Sequence, residues 1–145
     1  LIKETFHRDL ARGKQVENKV LSLIRKKYPK SFIQDGYFKD WDIFIPELGV
    51  GVEVKSDEKS KYTNNIVIEV NFNDKPSALS TTKAKYWVIY DGYQFNWFEV
   101  DSIKKCIREN NLRSCNFIGK GDTKSKEAYL IKKELLYDYK LNGHK

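Results

Sequence analysis

Glu53 and Lys55 stand two residues apart in the stretch GVGVEVKSD, Gly49 to Asp57. In a strand, that spacing puts both on one face and leaves Val50, Val52 and Val54 to form the other, core-facing side. Gly51 adds no side chain to the charged face, which leaves room beside Glu53 for a ligand to approach. Just upstream, Trp41 to Ile45 reads as a second strand, and Pro46-Glu47-Leu48-Gly49 as the compact turn that folds it back. If Ile45 pairs with Val50, Asp42 falls opposite Glu53, where opposed Cβ atoms lie about 4.5–5.5 Å apart. A slip of one residue in register would separate them.

Two carboxylates that close repel, and they raise one another's pKa unless a cation sits between them. Mg²⁺ is such a cation, commonly held by one or two carboxylates together with waters and substrate phosphate. It polarises a phosphoryl oxygen and lowers the pKa of a water. A nearby lysine supplies positive charge where negative charge grows on a phosphate. The plainer alternative is a surface hairpin with cross-strand charges, and E-x-K alone does not exclude it. Glu17 adds weight to the chemical reading. It precedes Val20, Leu21 and Ile24 by three, four and seven residues, on or beside the buried stripe of a helix. A boundary glutamate that reaches to water would occupy the same place.

The elements that must position these groups follow from periodicity. Gly13 to Lys27 reads as an amphipathic helix, with Thr5 to Ala11 a separate turn and Gly13 the break. Strands follow at Ser31–Gln34, Trp41–Ile45, Val50–Lys55 and Asn65–Phe72. Pro76 to Lys85 reads as a short helix or helical turn. Tyr86–Tyr90 and Tyr93–Val100 flank the hairpin signal Asp91-Gly92. Asp101 opens a helix running to Arg108, with Ile103, Cys106 and Ile107 inward. Tyr129 to Leu136 is a strand or a helix, and periodicity does not decide. The expected result is one domain over residues 1–145, an α/β mixed β-sheet flanked by helices.

Thr81, Thr82 and Lys83 sit near the start of the expected helix at Pro76–Lys85, where backbone N–H groups and hydroxyls bind phosphate. A simple cap explains the threonines equally well. Lys83 and Lys85 are candidate nucleic-acid contacts. Glu69, outward in its strand with Val67 and Asn71, reads as structural. Trp41, Trp87 and Phe95 read as core, and Tyr37 and Phe38 as substrate contacts. Gly119 to Lys126 is a polar loop without the GK[ST] ending of a phosphate-binding loop.

Composition narrows the classes. Twenty-seven Lys and Arg against twenty Asp and Glu give a formal charge of +7, which suits a polyanionic partner. Eleven of those bases, against six acids, fall between Asp101 and Lys145, so Lys124 and Lys126 are expected at the nucleic-acid surface. Two cysteines and two histidines make neither a disulfide framework nor a zinc site. No apolar run approaches the ~20 residues of a membrane helix. No signal-peptide pattern opens the chain, so a cytoplasmic location with reduced thiols is expected.

DWDIFIPELGVGVEVK resembles the core of the PD-(D/E)XK nuclease superfamily, in which an Asp on one strand precedes Glu-x-Lys on the next, after a helix bearing another Glu. Asp42, Glu53, Lys55 and Glu17 match those positions, and Trp41 departs from the proline of the family's name. The order helix, hairpin, third strand, helix, strand resembles the family's αβββαβ restriction-endonuclease-like core. TNNIVIEV with KPSALSTTKAKYWVIYDG looks like small phage-type nucleases, and the N-terminal arrangement is similar to archaeal Holliday-junction resolvases. The resemblance covers roughly Gly13 to Gly92. It implies Mg²⁺ (Mn²⁺ substituting) on Asp42, Glu53 and the Val54 carbonyl. It further implies that Lys55 positions the attacking water and that Glu17 acts through a water or a second ion. The implied activity is DNA hydrolysis to 5′-phosphate and 3′-hydroxyl ends, with branched DNA as the favoured substrate, a homodimer and a phage origin. A silent DNA-binding or assembly module and an RNA-directed nuclease stand as alternatives.

Overall fold

The computed structural model of the protein describes residues 2–36, 39–118 and 124–141. Tyr37, Phe38 and most of the polar loop at Gly119–Lys126 therefore lie outside the described residues. Helix α1 (Ile2–Arg25) buries Val16, Val20, Leu21 and Ile24 along one stripe. It runs straight through Gly13, where the sequence suggested a break. One glycine costs a helix only about 1 kcal/mol relative to alanine, and the packed stripe beyond it more than offsets that.

The stripe rests on a five-stranded sheet ordered β1-β2-β3-β6-β7. These strands are β1 (Phe32–Ile33), β2 (Ile43–Ile45), β3 (Val50–Ser56), β6 (Tyr86–Tyr90) and β7 (Phe95–Glu99). On the α1 side, Ile43, Ile45, Val52 and Val88 are buried, and Val50 and Val54 pack against them. The β2–β3 hairpin has the expected register, Ile45 opposite Val50 and Ile43 opposite Val52. β6 takes the other edge of β3 in parallel, Val52 opposite Tyr86 through Ser56 opposite Tyr90.

Between β3 and β6 the chain leaves this sheet. After α2 (Ser60–Thr63), Asn64 turns in the left-handed conformation at φ 61°. β4 (Asn65–Phe72) then builds a second sheet with β5 (Lys75–Pro76), β8 (Cys115–Ile118) and β9 (Ser125–Lys132), ordered β5-β4-β9-β8. The structure thus corrects the expectation of one mixed sheet. The third strand beside the hairpin is β1, which precedes it, and not β4. Alternation identified the core face of β4 correctly, with Ile66 and Ile68 buried, but alternation does not name a strand's neighbour. Those isoleucines and Ile131 meet Trp87, Ile89 and Phe98 of the first sheet. Ile103 and Cys106 of α3 (Val100–Glu109) and Leu136 of α4 (Lys133–Leu136) complete that core.

The short helix or helical turn expected at Pro76–Lys85 is a 3₁₀ turn of three residues, Ala78–Ser80. Its serines bond to β4 instead of capping a helix. Ser77 Oγ donates to Glu69 Oε2 at 2.8 Å, and Ser80 Oγ donates to the Val70 carbonyl at 2.7 Å. Such local side-chain bonds compete with helix formation. The Tyr129–Leu136 segment is both of its alternatives in turn, strand to Lys132 and then α4. The β6–β7 loop spans residues 91–94. Asp91 Oδ1 accepts the Tyr93 and Gln94 N–H groups at 2.8 Å, and its Oδ2 accepts Tyr137 Oη–H at 2.7 Å. Burial opposes the Asp91 charge, but these bonds and that of Asn96 hold it below the usual carboxylate range.

Two glycines have opposite roles. A Cβ on Gly51 would lie 2.2 Å from the Trp41 ring, so the missing side chain accommodates an indole and not a ligand. Trp41 in turn stacks on Phe44 with centroids 5.3 Å apart. A Cβ on Gly13 meets nothing within 4 Å. Gly51→Ala should therefore lower unfolding free energy by about 1–3 kcal/mol through overpacking. Gly13→Ala should raise it by about 0.4–1 kcal/mol. Urea titration of the two variants beside wild type checks both signs.

Candidate functional site

β2 stops pairing at Ile43, one residue after Asp42, and this leaves the Val54 N–H at a sheet edge without a backbone acceptor. The Asp42 carboxylate takes that place, its Oδ2 accepting from Val54 N–H at 2.7 Å. Two backbone bonds hold the aspartate there. Its N–H donates to the Val52 carbonyl at 3.0 Å, and its carbonyl accepts from Gln34 N–H at 2.8 Å. Asp42 is 7% exposed, a nearly buried carboxylate. In an antiparallel strand a residue's N–H and C=O point to the same side, so the Val54 carbonyl is directed to the Asp42 side as well.

Glu53 and Lys55 project from the face opposite α1 and form an ion pair, Nζ to Oε2 at 3.3 Å. Burial raises the Glu53 pKa first, and the Asp42 charge raises it further; Lys55 and Lys39 pull it back only in part. Glu17, half-buried at the edge of the α1 stripe, is likewise raised by burial and then by Asp42. Both glutamates singled out by the sequence thus feel the Asp42 charge.

Sequence reading missed Lys39. Its Nζ lies 3.0 Å from Asp42 Oδ1. Burial disfavours its charge, but the hydrogen bond and charge of Asp42, with Glu17 and Glu53 beyond, raise its pKa overall. The available signal was the three-residue spacing in KDWD, which is weak outside a helix. The other lysine is oriented by an aromatic ring. Lys55 Nζ sits 5.4 Å from the Trp87 ring centroid, and Trp87 Nε1–H donates to Thr82 Oγ1 at 3.1 Å.

Glu53, Lys55, Lys39, Glu69, Thr81, Thr82 and Lys83 line one cleft of about 380 Å³. Asp42 lies behind it. The threonines sit after the 3₁₀ turn and not at the helix start expected there. Lys85 lines a separate cleft with Glu99, Asp101 and Lys104. Glu69, read as structural, faces the candidate site, 3.6 Å from Lys126. Lys126 borders a larger groove of about 760 Å³ that shares Lys55, Glu69, Ala78 and Trp87 with the cleft. Lys124 is exposed at the end of the second sheet.

Among the described residues, no group of three or more His, Cys, Asp or Glu side chains gathers as a metal site. The donors available to a hard cation are Asp42, Glu53 and the Val54 carbonyl, and two carboxylates with waters suffice for Mg²⁺. The repulsion between Asp42 and Glu53, which Lys55 and Lys39 relieve only in part, fits a cation placed between them.

Burial of Glu53, with the Asp42 charge added to it, sets a pH dependence. Glu53 keeps its proton to higher pH in the folded chain than the ordinary 4.5. Its contribution to stability is therefore complete below 4.5 and is lost as pH rises through the raised folded value. Glu53→Gln, which resembles the protonated form, should melt above wild type near neutral pH without metal. The gap should close on acidification below 4.5. Thermal melts across pH measure this.

Comparison with protein-family models, curated proteins and solved structures finds no match. The geometry around Asp42 therefore carries the functional reading by itself.

Proposed function

We propose that the protein is a divalent-metal-dependent DNA endonuclease, hydrolysing phosphodiesters to 5′-phosphate and 3′-hydroxyl ends. The observation that carries this reading is the convergence of Asp42, Glu53 and Lys55 at the end of the β2–β3 hairpin, beside a lysine-lined cleft. A restriction-endonuclease-like fold goes with it, supported by α1 over the β1-β2-β3 meander and by β6 parallel to β3. On this reading the second sheet is an insertion between β3 and β6.

Asp42, Glu53 and the Val54 carbonyl would hold Mg²⁺ or Mn²⁺. When bound, the ion supplies Lewis-acid polarisation of the phosphate and acidifies water. Lys55, steadied by Glu53 and the Trp87 ring, positions the attacking water and neutralises charge growing on the phosphate. Lys39 compensates the Asp42 charge, and Glu17 orients water from the α1 side. Lys83 and Lys126 draw the phosphate backbone to the cleft. A homodimer, branched DNA as substrate, a phage origin and action in the cytoplasm complete the proposal. No helix among the described residues is long and apolar enough to cross a membrane.

Incubation with plasmid, single-stranded and four-way-junction DNA, with and without Mg²⁺, tests the reading. Wild type should cut in Mg²⁺, and Glu53→Ala and Lys55→Ala should be slower by about a hundredfold or more. Wild-type cleavage no faster than either variant on every substrate would leave the silent-module alternative. Calorimetry with Mn²⁺ should show binding that weakens sharply in Asp42→Asn; unchanged affinity would remove Asp42 from the ligand set.

A further inference from the structure

The second sheet has one face in the core and one open to solvent. Ile66, Ile68 and Ile131 fill the inner face. A bulge at Val70 shifts the β4–β9 register between Glu69 and Asn71. That extra residue brings Glu69 and Phe72 to the same, outer face. Opposed residues share a face, so a row runs across three strands, Phe72 to Lys126 to Phe117. Both rings stay open, Phe72 at 39% and Phe117 at 37% exposed. Each has an ammonium over it. Lys124 Nζ lies 6.0 Å from the Phe72 centroid, and Lys126 Nζ lies 6.0 Å from the Phe117 centroid.

Open aromatic rings alternating with lysines match a ligand that has phosphates and bare flat faces. Unpaired nucleotides have both, whereas a duplex hides its base faces in its own stack. A second copy of this chain, with its formal charge of +7, matches the lysines of this face less well than a polyanion does. The face also leads somewhere. Phe117 and Lys126 wall the 760 Å³ groove that reaches Lys55 and Trp87 at the candidate site.

We infer that the outer face of the second sheet is a stacking platform for single-stranded nucleic acid, delivering an unpaired strand along this groove toward Glu53 and Lys55. The delivery step rests on the nuclease reading; the binding does not. The substrate class then becomes DNA with an unpaired segment next to the scissile bond.

Fluorescence anisotropy of the metal-free protein, with a labelled oligothymidylate and a duplex of equal length, tests the binding. The single strand should bind about tenfold more tightly than the duplex. Phe117→Ala and Phe72→Ala should each weaken it about tenfold, with Phe117→Trp close to wild type. Both phenylalanines are open to solvent, and a thermal melt shows whether each variant is folded. Duplex bound as tightly as single strand, or single-strand affinity unmoved in both folded alanine variants, overturns the platform. So does a dimer, seen by light scattering, that Phe117→Ala dissociates. Cleavage in Mg²⁺ separates the two proposals. Phenylalanine-dependent binding without cleavage rejects only the nuclease, and cleavage without that dependence rejects only the platform.

Discussion

The hydrogen bond from Val54 N–H to the Asp42 carboxylate is the contact on which the candidate site depends. A strand edge needs an acceptor for each buried N–H, and an unpaired one costs about 1–3 kcal/mol. A backbone carbonyl would serve equally well for stability. A carboxylate serves there while also placing a negative charge beside Glu53, at the cost of raising the Glu53 pKa. One residue thus finishes the hairpin and charges the candidate site, and its position is over-determined by three hydrogen bonds.

The rest of the molecule arranges itself around that hairpin end. α1 covers one face of β3 and brings Glu17 to the rim. β6, parallel to the far edge of β3, brings Trp87 opposite Glu53 in register and beneath the Lys55 ammonium. The second sheet packs on the Trp87 side and raises a wall above it, which turns an open sheet face into a cleft with Glu69 and Lys126 in it. Ala78, at the floor shared by cleft and groove, adopts φ 44°. A non-glycine residue held in that region stores strain, of the kind that clusters where function constrains the backbone.

Much of the local structure was legible in the sequence because period and turn chemistry are local. The 46–49 turn set the hairpin register from Ile45–Val50 to Ile43–Val52, and just beyond it the Asp42 carboxylate bonds to Val54 N–H. What failed was non-local. The strand pattern of Asn65–Phe72 was clear, but its partner, β9, lies far along the chain, and its sheet could not be read from alternation. Gly51 looked like space for a ligand because Trp41, the residue filling that space, folds over it from the irregular segment ahead of β2. Lys39 was overlooked because its pairing with Asp42 depends on how an irregular segment returns to the site. Thr81 and Thr82 carried a helix-start signal, yet Thr82 bonded to Trp87 and the neighbouring Ser77 to Glu69, so tertiary partners overrode the local preference.

The balance of charge at the site explains why such an arrangement survives folding without a cation. Asp42 sets its negative charge against two half-buried carboxylates, Glu53 and Glu17. Burial makes each costly, and mutual repulsion adds to the cost. Lys39 and Lys55 offset this from two sides, one against the buried aspartate and one against the cleft-facing glutamate. The two lysines are not equivalent. Lys55 rests on a ring whose position is fixed by Thr82 and the core, so its charge stays where a phosphate would meet it. Lys39 comes from the irregular segment ahead of β2 and is held to Asp42 by the ion pair itself. On the proposed metal reading, a cation between the carboxylates would compete with Lys39 for Asp42 and with Lys55 for Glu53, and Lys55 would keep the Trp87 ring as a second support.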